Sequence, residues 1–265
     1  MAIRMIVSDL DGTMLGPDFQ IPAVNRTAVR RAAAAGVTVV LATGRMYCSA
    51  LPYALALGLD TPIISYNGAL VKATGGKVLS ASSLAPDTVA RALDFVLTRG
   101  WYVQLYQDDT LYYAKATPPA LAYENAAGIT GHAVGESGLR ARNERVSKLL
   151  LVMPEPALVA GAVEELNAAF PGELTAMRSA PTYIEVIRPG VSKAAAMLTL
   201  AQEHGIAPEE IMALGDSGND ISMLQAAGLG VAMAIAGEDV KRAADKVEAS
   251  VADAVNRYVL PGAAP

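Results

Sequence analysis

Short apolar runs that end in polar, glycine-bearing turns alternate with helical stretches at both ends of this chain, and few folds accept that pattern. Residues 3–10 are apolar and finish on acid and glycine, which reads as a buried strand. Residues 22–35 read as a helix stopped by Gly36, and residues 37–42 as a second buried strand, followed by Thr43-Gly44-Arg45 and a helical stretch to about Gly58. Residues 62–66 form a third strand, closed by the turn pair Asn67-Gly68. Strand, helix, strand, helix, strand is the order of a parallel sheet covered by helices.

The alternation breaks near residue 83. Two strand-like runs, 101–106 and 110–114, flank the turn Asp108-Asp109. The aromatics Trp101, Tyr102, Tyr106, Tyr112, Tyr113 and Tyr123 crowd into the same region. From Ser192 the first pattern returns, with a helix over 193–204, a strand over 211–214, a helix over 219–227, a strand over 230–233 and a helix over 238–244. The expected architecture is one α/β domain, residues 1–82 and 188–265, interrupted by an α+β domain over 83–187.

Composition narrows the chemistry. The chain has 265 residues with 21 Lys+Arg against 26 Asp+Glu, a net charge of −5, and no basic excess that would suit nucleic acid. A single cysteine, Cys48, excludes an intrachain disulfide and a multi-cysteine zinc site. His132 and His204 are too few and too far apart in sequence for a histidine-rich metal centre. Catalysis must come from carboxylates, amides, hydroxyls and lysine. Residues 1–7 carry no leader pattern, and the uncharged stretch 221–237 falls short of the roughly 20 apolar residues of a membrane span, so a soluble cytoplasmic protein is expected.

Four constellations carry the chemistry. Asp9-Leu10-Asp11-Gly12-Thr13 leaves the first strand, at the carboxyl edge where open α/β sheets bind ligands. Two carboxylates one residue apart can divide the work, one binding a cation and attacking while the other exchanges protons. Thr43-Gly44-Arg45 follows the second strand and opens a predicted helix, a place suited to phosphate. Lys193 begins a helix after Ser192, where it opposes the macrodipole unless an anion compensates. Gly215-Asp216-Ser217-Gly218-Asn219-Asp220 follows a later strand, and its oxygen donors suit a hard cation such as Mg²⁺. Each has a plainer reading alone: an Asp-Gly turn, a helix cap at Thr43 or Asp220, a solvated lysine.

In this order the four motifs resemble the haloacid dehalogenase-like superfamily. Ala42-Thr43-Gly44-Arg45, Asn67-Gly68-Ala69 and Gly190-Val191-Ser192-Lys193 are similar to its Cof-type phosphatase branch, and the insertion between the second and third motifs resembles that branch's C2 (class IIB) cap. The resemblance implies a Rossmann-like core and a Mg²⁺-dependent phosphatase acting on a small phosphorylated metabolite, a sugar phosphate or cofactor phosphate. By the same resemblance Asp9 is the nucleophile, forming an aspartyl-phosphate, and Asp11 the acid/base. Mg²⁺ sits with Asp9, Asp11 (through its carbonyl), Asp216 and Asp220. Thr43 and Lys193 hold the phosphoryl group, and Leu10, Gly44, Arg45, Asn67, Asn219 and, from the inserted domain, Arg178 meet the substrate. The dehalogenase branch lacks an acid at the place of Asp11, so dehalogenation is not expected. A phosphomutase of the same superfamily and a non-enzymatic phosphoacceptor module remain as alternatives. No membrane or nucleic-acid partner is expected.

The remaining candidates have modest roles. His204 is expected to meet carbonyls at a helix end, His132 to lie on the surface, Cys48 to be a small buried residue, and the aromatic cluster to be core. Arg140, Arg142 and Arg145 read as mostly solvated.

Overall fold

The structure is a computed structural model that describes residues 2–260. The chain divides into two compact units, one running to Leu79 and resuming at Ser192, the other spanning Ser80–Val191. The second unit is a few residues longer at each end than the 83–187 drawn from sequence. The boundary cuts through strand Val78–Ala81, and the turn after Ile187 goes with the inserted unit.

In the first unit β1 (Met5–Ser8), α1 (Ala23–Ala34), β2 (Thr38–Leu41), α2 (Tyr47–Leu57) and β3 (Ile63–Ser65) follow in order. All four residues of β1 are buried, as befits a strand covered on both faces. Helix α1 buries Asn25, Ala28, Val29 and Ala32, a single stripe at helical spacing. Strand β3 turns back through Tyr66–Gly68 into β4 (Leu70–Lys72), and β5 (Val78–Ala81) completes a small sheet in the order β3-β4-β5.

The inserted unit opens with α3 (Pro86–Thr98). It continues through β6 (Tyr102–Gln107), β7 (Thr110–Tyr113), α4 (Pro118–Ala127), β8 (His132–Ala133), α5 (Gly135–Arg140), β9 (Val146–Val152), α6 (Val159–Ala169), β10 (Thr175–Ala180) and β11 (Tyr183–Ile187). Its six strands run in the order β10-β11-β9-β6-β7-β8, antiparallel except for the β7–β8 pair. Val103, Leu105, Leu149, Leu151, Ile184 and Val186 face one way, into a core shared with Val89 and Leu93 of α3 and Leu166 of α6. The alternate residues Gln104, Tyr106, Lys148 and Glu185 therefore point to the other face, where they are also buried. Tyr123 of α4 packs edge-on against Tyr106 and Tyr183 there. Much of the aromatic cluster is thus core, on both sides of one sheet.

The first unit then resumes with α7 (Lys193–Glu203), β12 (Ile211–Gly215), α8 (Ile221–Ala226), β13 (Leu229–Met233), α9 (Glu238–Ala243), β14 (Lys246–Glu248) and α10 (Val251–Ala254). The main sheet is wholly parallel, in the order β14-β13-β12-β1-β2. A single bridge from Ala42 to Ile64 sets β3 beside β2. Ser8 pairs with both Leu41 and Leu214, so the turns after β1, β2 and β12 emerge at one level of the sheet's carboxyl edge. Among the described residues no helix is long and apolar enough to cross a membrane.

Lys148 and Glu185 form a buried ion pair at 2.9 Å inside the inserted unit. Burial works against the Lys148 ammonium, but the Glu185 carboxylate carries it above the ordinary lysine range. Glu185→Ala strands that charge and should destabilise the protein by about 3 kcal/mol, whereas Lys148→Met with Glu185→Leu should cost less than Glu185→Ala alone. Urea unfolding of the three proteins checks this; a double variant as unstable as the single one would contradict it.

Candidate active site

The turn after β1 is shaped by a glycine. Gly12 has φ +78°, and a Cβ placed there would lie 2.4 Å from Oδ2 of Asp216, so the position excludes a side chain on two counts. The turn closes with Met14 N–H donating to the Asp9 carbonyl at 3.3 Å and Leu15 N–H to the Leu10 carbonyl at 2.9 Å. This sends the two aspartates into different surroundings. Asp9 is buried, while the Asp11 side chain is 44% exposed. Thr13 Oγ1 donates to Asp216 Oδ1 at 2.9 Å, tying the first turn to the one after β12.

Lys193 occupies the first turn of α7, which Ser192 caps by accepting from Ala195 N–H at 3.1 Å. Its buried ammonium donates to Asp9 Oδ1 at 2.6 Å and to Asp220 Oδ1 at 2.7 Å. The anion that a lysine at a helix start requires is therefore supplied twice. Burial opposes the ammonium, but Asp220 and Asp9 outweigh it and hold Lys193 above the ordinary lysine range. For Asp9 burial is the larger influence and pushes its carboxyl up, against the pull of Lys193.

Asp220 shapes its own loop. Its Oδ2 accepts from the N–H of Asp216 at 3.1 Å, the N–H of Ser217 at 3.0 Å and Ser217 Oγ at 3.3 Å, while Oδ1 faces Lys193. A Cβ at Gly215 would come within 2.4 Å of the Asp220 Cβ, so the glycine ending β12 permits that inward fold. Asn219 Nδ2 donates to Asn67 Oδ1 at 2.9 Å, and its own Oδ1 accepts from Ser217 Oγ at 2.7 Å. The second and fourth motif regions thereby meet through two amides. Gly44 lies close by, where a Cβ would touch Asn67 Oδ1 at 3.1 Å.

The Thr43 region departs from the sequence expectation. Helix α2 begins at Tyr47, so Thr43-Gly44-Arg45 is a loop before the helix and not its first turn. Thr43 is buried; its N–H donates to the Ile64 carbonyl at 2.8 Å and its Oγ1 accepts from Arg45 N–H at 3.1 Å. Leu10 has a fully buried side chain, so any substrate contact there would use its backbone. Arg45, expected with the substrate, is bonded to Asp11. Arg178 belongs to the inserted unit, exposed on β10, with its Nε donating to the Ala180 carbonyl at 3.2 Å. Cys48 is exposed, contrary to expectation: its neighbours Tyr47 and Ser49 take the buried side of α2. His204 Nδ1 lies 2.8 Å from the Leu200 carbonyl, and His132 is exposed beside Tyr112. Thr13 and Ser217 emerge as positioning groups. Both sit inside the motifs, but nothing in their spacing announces which carboxylate each holds.

One carboxylate oxygen each from Asp9, Asp216 and Asp220 lies within 4.8 Å of the others. This all-oxygen donor set suits a hard divalent cation, and the missing Cβ at Gly12 lets the first turn pass close against the Asp216 carboxylate that belongs to it. Burial pushes Asp216 up from 3.8 to about 6, so its charge is costly until something neutralises it.

Residues 6–258 match the family model of the haloacid dehalogenase-like hydrolases. A curated relative, the 5-amino-6-(5-phospho-D-ribitylamino)uracil phosphatase YcsE of Bacillus subtilis, is 31% identical over 97% of this chain and 96% of its own. Among solved structures, a haloacid dehalogenase-like hydrolase from Bacteroides thetaiotaomicron superposes with a TM-score of 0.85 at 28% identity, covering 96% of this chain and 99% of that one. The subclass IIB sugar phosphatase BT4131 superposes at 0.81 with 25% identity, covering 95% of each.

Two outcomes test the geometry. Gly12→Ala should displace Asp216, lower stability by about 1–3 kcal/mol and weaken divalent-cation binding in calorimetry; unchanged binding would contradict the packing. The second concerns pH. Asp216 holds its proton to a higher pH in the folded than in the unfolded chain, so its contribution to stability is present below about pH 4 and is lost as pH rises through about 6. Metal-free Asp216→Asn should therefore exceed the wild type in stability by about 1 kcal/mol at pH 8, after allowance for solvent screening, and match it near pH 4. Metal-free unfolding at both pH values measures the difference, and a wild type more stable at pH 8 would reverse the sign. With the family model spanning nearly the whole chain and the motif carboxylates gathered around Lys193, the chain belongs to the haloacid dehalogenase-like hydrolases, among their phosphatases.

Proposed function

We propose that the chain is a Mg²⁺-dependent phosphatase of a small phosphorylated metabolite, a sugar phosphate or cofactor phosphate. The observation that carries this reading is the contrast between its paired aspartates, Asp9 buried against Lys193 and Asp11 half-exposed beside it in sequence. A nucleophile benefits from being fixed and desolvated; a group that trades protons with a leaving group and then with water needs access. Lys193 donates to Oδ1 of Asp9 and so fixes the carboxylate for attack on phosphorus. As the Asp9–phosphorus bond forms, the ester P–O bond breaks and Asp11 gives its proton to the leaving oxygen. Asp11 then takes a proton from the water that cleaves the aspartyl-phosphate, releasing inorganic phosphate and restoring Asp9.

Asp9 and Asp216 would hold Mg²⁺ together with the Asp11 carbonyl, and Asp220 would support it through its bonds to Lys193 and to the Asp216 backbone. The ion supplies neutralisation between an anionic nucleophile and an anionic phosphate. Thr43, Lys193 and Asn219, with Leu10, Gly44 and Asn67, form the phosphoryl pocket in this reading. The first unit is the catalytic core, and the inserted unit, Arg178 included, serves as the cap that selects the leaving group. The relatives named for a phosphoribityl compound and for sugar phosphates support a polyhydroxylated leaving group.

Asp9→Asn should lower turnover of p-nitrophenyl phosphate and of a sugar-phosphate panel at least ~10³-fold. Chelation should abolish wild-type activity and Mg²⁺ restore it. Near-wild-type turnover by folded Asp9→Asn, or full activity after verified metal removal, would overturn the reading.

A further inference from the structure

Arg45 is held on several sides. Its Nε donates to Asp11 Oδ2 at 2.7 Å and its Nη2 to Asp11 Oδ1 at 2.6 Å, a two-point fork on one carboxylate. Nη1 donates to Ser49 Oγ at 3.3 Å, and Ser49 is buried on α2. The guanidinium carbon lies 5.6 Å from the ring centre of Phe19 and 5.4 Å from that of Tyr53. The Arg45 side chain is 10% exposed, against 44% for Asp11. A buried, planar, aromatic-flanked cation thus grips a carboxylate that would otherwise sample several rotamers at the surface of a turn. The two aspartates have separate cations: Lys193 for Asp9, Arg45 for Asp11.

We propose that Arg45 is a positioning residue for Asp11, setting its carboxylate for proton exchange with the leaving oxygen, and is not a ligand of the phosphoryl group. This rests on the phosphatase reading, in which Asp11 protonates that oxygen as the P–O bond breaks. A fork uses one lone pair on each carboxylate oxygen, so the carboxylate can be held while its other lone pairs face the reaction. Ser49 and the two rings hold the fork, which a lysine's single ammonium cannot reproduce.

The two roles differ in their dependence on the leaving group. Proton delivery to the leaving oxygen matters greatly for a sugar alkoxide and little for p-nitrophenolate, and kcat/KM isolates that step from the shared hydrolysis of the aspartyl-phosphate, whereas a phosphoryl ligand serves every ester alike. The experiment measures kcat and KM for p-nitrophenyl phosphate and for a sugar phosphate with the wild type, Arg45→Ala, Arg45→Lys, Ser49→Ala and Asp11→Asn, all Mg²⁺-loaded. Arg45→Ala should lose at least ~10-fold more kcat/KM on the sugar phosphate than on p-nitrophenyl phosphate, as Asp11→Asn should. Arg45→Lys should show the same imbalance, and Ser49→Ala a weaker one in the same direction. Equal losses of kcat/KM on both esters, or recovery by Arg45→Lys, would overturn the proposal while leaving the phosphatase reading intact. A wild type inactive on every ester would overturn both.

Discussion

The buried ammonium of Lys193 is the contact on which the rest of the site depends. Three carboxylates converge at one edge of the sheet, within a few ångströms of one another and largely out of water. Without a cation in their midst the arrangement would repel itself apart or take up protons. Lys193 meets Asp9 and Asp220 at hydrogen-bonding distance and so joins the first motif to the fourth across the sheet. A buried pair broken on one side costs several kcal/mol, which makes the lysine structural as well as electrostatic. Its charge also leaves one carboxylate, Asp216, only partly compensated, and it is there that burial shifts the proton affinity toward neutrality.

The backbone meets this demand by close approach. Gly12 lets the first turn pass against Asp216, and Gly215 lets Asp220 fold back under its own loop. Thr13 and Ser217 then hold the carboxylates that the glycines admit. Because β1, β2 and β12 are in parallel register, their turns emerge side by side, and short polar side chains suffice to link them. Arg45 extends the same economy outward: it comes from the turn after β2 and grips a side chain in the turn after β1. The site is thus a set of polar cross-links that join the strand-end turns to one another and to the start of α7.

Much of this is legible in the order of the residues. The apolar runs and their glycine-bearing ends predict the parallel sheet because a strand buried on both faces must be apolar throughout, as β1 is. The paired acids at Asp9 and Asp11 and the acid-amide cluster from Asp216 to Asp220 stand out because turns at a sheet's carboxyl edge are where such residues gather. Thr43 departs from its expected place for a local reason. A threonine before glycine resembles a helix cap, yet α2 starts four residues later and Thr43 instead bonds the backbone of its own loop. Residue type alone points Cys48 to the interior, while the phase of α2 turns it outward.

Sequence by itself determined the elements and the inventory: a parallel sheet, an insertion between the second and third motifs, a set of carboxylate oxygens of the kind that suits a hard cation and no thiol or imidazole centre. Those follow from periodicity and composition, which act through near neighbours along the chain. The pairing of charges was decided only by tertiary structure. That Lys193 faces Asp9 and Asp220, that Arg45 holds Asp11, and that Lys148 and Glu185 meet inside the inserted unit are contacts between residues 27 to 184 positions apart. Which cation reaches which carboxylate depends on sheet register, on the phase of helices α2 and α7 and on the rotamers that packing allows. Sequence spacing carries none of these, because the chain returns from distant positions to close the site.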